Sequence, residues 1–127
     1  MKTIINTDKA PAPIGPYSQA VRHGNTLYVS GQIALDPESG NLVNESIESE
    51  TRQVMKNLSA ILHAAGLNFS NVVKCSIFVS DMNNFSKVNG IYGEYFSENP
   101  PARETVEVSA LPKYVNVEIS CIAAVAE

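Results

Sequence analysis

Between Glu45 and Ala65 the apolar residues recur at a helical period, whereas the runs on either side alternate as strands do. Ile47, Val54, Leu58, Ile61, Leu62 and Ala65 form one stripe, with Glu48, Arg52, Lys56 and Ser59 mostly elsewhere, and Gly66 follows as a stop. A helix with one apolar face, set among strands, must lay that face on a sheet.

The remaining segments read as strands, turns and one further helix. Thr3–Asn6 is a short strand, followed by a stiff loop in which Pro11, Pro13, Gly15 and Pro16 forbid helix and fix the path up to Tyr17. Ala20–Arg22 and Thr26–Ser30 flank His23-Gly24-Asn25, a hairpin signal. Gly31, inside the strand-like run Val29–Ile33, predicts a bulge or the close approach of another group. Asp36–Gly40 is a turn and Val73–Val79 a strand. Asn83 or Asn84 caps a second helix running to about Phe96, with Phe85, Val88, Ile91, Tyr92, Tyr95 and Phe96 as its stripe. Arg103–Ser109 and Val115–Val125 are expected to form a hairpin turned at Leu111–Tyr114. The order is β-β-β-α-β-α-β-β, predicting one α+β domain over residues 1–127, a mixed β-sheet with two helices packed on one face.

Composition limits the partners. With 127 residues, 44% of them hydrophobic, and a net charge of -4, the chain suits one folded domain and not a disordered one. Nucleic acid is disfavoured, because the nine Lys and Arg residues are scattered with no two adjacent. No apolar run approaches the roughly 20 residues that span a bilayer, and the first residues lack the apolar core of a signal peptide. A cytoplasmic protein without membrane contact is the expectation. Cys75 and Cys121 lie in strand-like runs and read as buried, reduced thiols, with a disulfide as the other reading. His23 falls in a turn and His63 off the helical stripe, so both are expected in solvent. Neither has a partner at metal-ligand spacing, so no metal is expected, and no HExxH, P-loop or GxGxxG is present.

The last strand has two usable faces. Val115, Val117, Ile119, Cys121, Ala123 and Val125 point one way, and Asn116, Glu118, Ser120, Ile122 and Ala124 the other. Helices cover only one face, so the second is expected to pack on another copy of the chain.

Three groups of residues suggest chemistry. In the expected hairpin Thr105 lies opposite Glu118 and Arg103 opposite Ser120, all on one side, so a guanidinium and a carboxylate reach one pocket. Arginine binds a carboxylate through a planar fork, and a glutamate can activate water; an ordinary cross-strand ion pair fits the same pattern. Tyr17, Ser30 and Gly31 offer neutral groups for orienting a small polar molecule, or are a structural loop and bulge. Asn89, on the flank of Phe85, Tyr92 and Phe96, is either a satisfied buried amide or a pocket-lining donor. Ser30 has neither a GxSxG context nor a histidine base, which disfavours a serine nucleophile.

Six strings occur in order along nearly the whole chain: Ile14-Gly15-Pro16-Tyr17-Ser18-Gln19-Ala20, Tyr28-Val29-Ser30-Gly31-Gln32-Ile33, the helix from Asn57 to Leu62 with Gly66, Phe85-Ser86-Lys87-Val88-Asn89, Pro101-Ala102-Arg103, and Val106-Glu107-Val108 leading to Leu111-Pro112. Together they closely resemble the Rid (YjgF) family, the reactive-intermediate or 2-iminobutanoate/2-iminopropanoate deaminases. The resemblance implies a chorismate-mutase-like fold assembled as a homotrimer, with a cleft at each subunit interface. It implies hydrolysis of enamines and imines such as 2-aminoacrylate and 2-iminobutanoate to 2-keto acids and ammonia, with no metal or organic cofactor. On this chain it implies that Arg103 grips the substrate carboxylate and Glu118 helps hold the attacking water, with Tyr17, Ser30, Gly31 and Asn89 lining the cleft. Many deaminating members carry cysteine two residues after the arginine, where this chain has Thr105. The alternative function is a non-catalytic trimer that binds a small carboxylate as a regulatory or partner protein; retention of Glu118 beside Arg103 favours catalysis.

Overall fold

The computed structural model describes residues 1–125. Its elements follow the expected order: β1 (Lys2–Ile5), β2 (Ala20–His23), β3 (Thr26–Gln32), α1 (Ile47–Ala64), β4 (Val72–Val79), α2 (Phe85–Tyr95), β5 (Ala102–Glu107) and β6 (Val117–Ala124). The strands form one mixed sheet in the order β1-β2-β3-β6-β4-β5, antiparallel throughout except for the parallel pair β4–β5.

Both ends of α1 are fixed by local chemistry. Ser46 accepts from the Ser49 N–H at 3.0 Å and Ser49 Oγ accepts from the Ser46 N–H at 3.1 Å, a reciprocal cap that satisfies donors the helix cannot. At the other end the Leu67 N–H reaches back to the Leu62 carbonyl at 2.8 Å and Gly66 takes φ +77°, a turn that only glycine makes without strain. Asn84 stands at the N-cap of α2, as expected, but the side-chain capping bond nearby comes from Asp81, at the start of the preceding 3-10 turn. Its carboxylate accepts from the Asn83 N–H in the short 3-10 turn leading into α2, and Asn84 makes no side-chain capping bond.

The expected hairpin between the last two strands does not form. β5 pairs with β4, Cys75 standing opposite Arg103 and Ile77 opposite Thr105, while β6 lies along the other side of β4, with Phe78 opposite Glu118 and Ser76 opposite Ser120. β4 thus separates two strands expected to be neighbours. Parallel strands need a long crossover, and α2 supplies it between β4 and β5. The choice of edge follows from composition. β4 buries Val72, Cys75, Ile77 and Val79, whereas β5 exposes Glu104 and Glu107 and tolerates a free edge.

Both helices cover one face. Val54, Leu58, Ile61 and Leu62 of α1 and Val88 and Tyr92 of α2 join Leu27, Val29, Cys75, Ile77, Val79, Val117, Ile119 and Cys121 in one core. Among the described residues no helix lies over the opposite face. That face carries Tyr28, Phe78, Val106, Ser120 and Ile122, none of them fully buried, together with the ion pair Lys74–Glu104 at 3.0 Å.

Buried polar side chains tie the loops to this framework. Asn57 donates to the carbonyls of Ile33 and Leu35 at 3.0 Å each, pinning the segment after β3 to α1. Glu50, fully buried in the first turn of α1, accepts from the Asn116 and Val117 N–H groups and the Asn116 side-chain amide, at 2.8, 3.2 and 2.8 Å. It therefore satisfies the backbone where β6 begins. Removing the carboxylate leaves these donors without acceptors, each an unfavourable burial. We expect Glu50→Ala to lower stability by about 3 kcal/mol. Urea titration at fixed protein concentration would show a lower midpoint with an unchanged slope.

Candidate active site

The helix-free face holds a cavity of about 330 Å³ lined by Tyr17, Ser30, Gly31 and Glu118, with Ile14, Ile33, Leu35 and Pro112 as apolar walls. Gln19, only 2% exposed, shapes its rim. It accepts from the Thr7 N–H at 2.7 Å and donates to the carbonyls of Thr7 and Pro11 at 3.0 and 2.9 Å, so the proline loop is folded back over the strand ends. Within that loop the Tyr17 hydroxyl accepts from the Ile14 N–H at 3.3 Å, leaving its own proton free to donate. The Ser30 hydroxyl donates to the Ser18 carbonyl at 2.6 Å, so its oxygen faces the cavity as an acceptor.

Gly31 fulfils both readings of a glycine within a strand. The β3–β6 register shifts between Val29 and Gln32, and the Glu118 side chain lies across the bulged backbone. A Cβ at position 31 would stand 2.9 Å from the carboxyl carbon of Glu118, closer than real contacts allow, and a tight 3.1 Å from its Cγ, so the Glu118 side chain would have to shift. Glu118 is half-buried, and desolvation pushes its carboxyl above the ordinary carboxylate range, since burial penalises the charged form.

A second cavity, about 340 Å³, opens beside α2, where Asn89, Tyr92, Phe96, Pro100, Pro101 and Arg103 line it. The Arg103 guanidinium stacks 4.9 Å from the ring centre of Tyr92 and 5.5 Å from that of Phe85. Thr105, two residues along the same side of β5, has a buried hydroxyl without a hydrogen-bond partner.

Two groups of candidate residues thus stand on opposite faces of one sheet. Tyr17, Ser30, Gly31 and Glu118 come together, and Arg103 and Asn89 come together with Thr105 beside them, so that Arg103 and Glu118 line different cavities. The expected opposition of Thr105 to Glu118 and of Arg103 to Ser120 is replaced by Ile77 and Cys75, because β4 intervenes. A direct Arg103–Glu118 ion pair is equally absent; among the described residues the salt bridges are Arg52–Glu94 and Lys74–Glu104.

Other expected features fall as follows. His23 and His63 are exposed. Cys75 and Cys121 are buried, unbridged and directly opposite one another on β4 and β6, where burial raises the first thiol and pushes the second up to about 12. Neither supplies a thiolate near neutrality. Among the described residues no cluster suits a metal ion, and no helix is long and apolar enough to cross a membrane. Sequence reasoning missed the roles of Gln19 and of Phe85 and Tyr92. The aromatic pair was visible only as part of an apolar stripe.

The raised carboxyl of Glu118 has a defined consequence for stability. Its folded-state affinity for a proton exceeds that of the unfolded chain, so stability is fullest below the ordinary carboxylate value and falls as pH rises through the raised one. We expect Glu118→Gln to be more stable than the parent at neutral pH, with the difference vanishing in acid. Thermal melts across pH would show it. Gly31→Ala, by displacing the carboxylate toward water, should return the Glu118 titration, followed by carboxyl NMR, toward its ordinary range.

A family model described as endoribonuclease L-PSP matches residues 7–125. A RutC family protein from Pyrococcus horikoshii is 52% identical, over 97% of this chain and 98% of its own. The mouse 2-iminobutanoate/2-iminopropanoate deaminase is 51% identical, over 97% of this chain and 91% of its own. A solved structure of a conserved Rid family protein from Yersinia pestis superposes with a TM-score of 0.94 at 51% identity, covering 98% of this chain and 100% of that one.

Proposed function

The chain belongs to the Rid family, and from that membership we propose that it is an imine and enamine deaminase. Its substrates in this reading are small 2-imino acids: 2-iminobutanoate, and 2-aminoacrylate after protonation of its methylene carbon gives the imine. Water adds to the C=N carbon, ammonia leaves, and a 2-keto acid remains. The likeness to proteins named for this deamination supports the reaction class. The observation that carries it is Glu118, a half-buried carboxyl of raised proton affinity against Gly31, with the Tyr17 and Ser30 hydroxyls in the same cavity.

In this mechanism the Glu118 carboxylate takes a proton from the attacking water as its oxygen bonds to the imine carbon, and returns that proton to the nitrogen, which gives a carbinolamine and restores the carboxylate. Glu118 then relays the hydroxyl proton to nitrogen, which departs as ammonia while the carbonyl forms. The Tyr17 O–H and the Ser30 oxygen orient the polar end of the substrate. An imine carbon is already electrophilic, so this set suffices without a metal or organic cofactor.

The substrate carboxylate needs a cation, and the first cavity has no arginine or lysine in its wall. Arg103, with Asn89 and Thr105, is the proposed source, supplied by the next copy in a homotrimer whose clefts lie between subunits. The helix-free sheet face, with half-exposed Tyr28 and partly exposed Phe78, Val106 and Ile122, is the proposed seat of that neighbour. We place the enzyme in the cytoplasm, where it would clear reactive intermediates leaking from dehydratases.

Two measurements test this. With 2-iminobutanoate generated by a threonine dehydratase and the residual imine trapped by semicarbazide, the parent protein should suppress trapping and Arg103→Ala should not. Trapping equal to a no-protein control would refute the activity. Separately, Arg103→Ala and Glu118→Ala chains should each be inactive, yet co-expression should restore about a quarter of the parent activity, since each mixed trimer holds one complete site. No recovery would refute the shared site.

A further inference from the structure

Arg103 is held in place without a carboxylate. Among the described residues it takes part in no salt bridge, and Glu104, its neighbour in sequence, points to the other face toward Lys74 and Ser76. Its guanidinium instead lies over the rings of Tyr92 and Phe85, at 4.9 and 5.5 Å. These two residues are seven apart on α2, two turns along one side of the helix, with Asn89 between them at spacings of four and three. Phe85, Asn89 and Tyr92 therefore form one row beside the arginine, and Asn89 and Tyr92 share its cavity.

Chemistry favours an aromatic holder at such a place. A carboxylate would occupy the same N–H fork that a bound carboxylate must use, and its charge would cancel that of the arginine. A ring face attracts the cation through its quadrupole and leaves the in-plane N–H donors free at the guanidinium edge. The Tyr92 hydroxyl adds nothing evident to the stacking: it is buried with no hydrogen-bond partner, and burial beside Cys75 raises it far above the ordinary phenol range.

We propose that Phe85 and Tyr92 are positioning residues that hold Arg103 by stacking alone, leaving its charge uncompensated until a substrate carboxylate arrives. The identity of that carboxylate as a 2-imino acid rests on the function proposed above; the holding of the arginine does not.

The test uses the whole protein and two readouts, the dissociation constant of 2-oxobutanoate by calorimetry and the split between KM and kcat in the trapping assay. Tyr92→Leu and Phe85→Leu should each weaken 2-oxobutanoate binding about five- to thirtyfold and raise KM similarly, while kcat stays within about threefold. Tyr92→Phe, which keeps the ring, should remain within about twofold of the parent in both readouts. Phe85, only partly buried, decides the matter should Tyr92→Leu fail to fold. Unchanged binding in the leucine variants overturns the proposal, as does Tyr92→Phe behaving like Tyr92→Leu or a parent that binds no keto acid. A parent that hydrolyses no imine yet loses keto-acid affinity on Phe85→Leu refutes the proposed reaction and supports the positioning role.

Discussion

Side chains alternate across a β-sheet, and β4 lies between β5 and β6; these two facts fix the faces on which Arg103, Thr105 and Glu118 stand. Arg103 shares a row with Cys75 and Cys121 and turns toward the helices, whereas Glu118 shares a row with Phe78 and Val106 and turns away from them. No rotamer change brings the two together through a packed sheet. The same alternation explains why one side of the molecule is a dense core and the other a half-apolar surface with a cavity in it. Architecture and site are consequences of one register.

Around the cavity on the second face, buried polar side chains act together with a small apolar cluster of Ile33, Leu35, Leu111 and Val115. Gln19 folds the proline loop, Asn57 anchors the chain leaving β3, and Glu50 fixes the entry to β6. Each is buried and satisfies backbone groups that would otherwise lack partners, while Asn57 and Glu50 also accept from the Gln53 and Asn116 side-chain amides. Such bonds hold loops more strictly than hydrophobic contact, because the donor and acceptor must meet in one geometry. Tyr17, Ser30 and Gly31 are thereby set on a frame and not left to loop motion.

Much of this was legible in the sequence where the controlling forces are local. The stripe from Ile47 to Leu62 with Gly66 behind it, the hairpin at His23-Gly24-Asn25, and the bulge at Gly31 all follow from periodicity and backbone freedom, and all are present. The pairing of β5 was not legible. Leu111-Pro112 is a genuine turn signal, but nothing near it records that β4, some thirty residues earlier, inserts between the strands it joins. Glu50 was hidden for a similar reason, since an acidic residue in a first helical turn already has a local explanation in the helix dipole. Phe85 and Tyr92 read as core because an apolar stripe does not say what lies on top of it.

Placing the arginine and the glutamate on opposite faces also has an electrostatic logic. Side by side within one chain, roughly 4 Å apart at a partly buried site, they would attract by about 4 kcal/mol. That attraction would lower the carboxyl toward a permanently ionised, poorly basic state and would occupy the guanidinium fork. Apart, each keeps the property that chemistry on a small carboxylate requires: Glu118 is raised by burial alone, and Arg103 rests on neutral rings. In the assembly proposed above the two charges meet only across the substrate, whose carboxylate satisfies the arginine and so shields the glutamate from it. In that assembly a chain of net charge -4 would capture a small anion, because among the described residues no carboxylate pairs with Arg103.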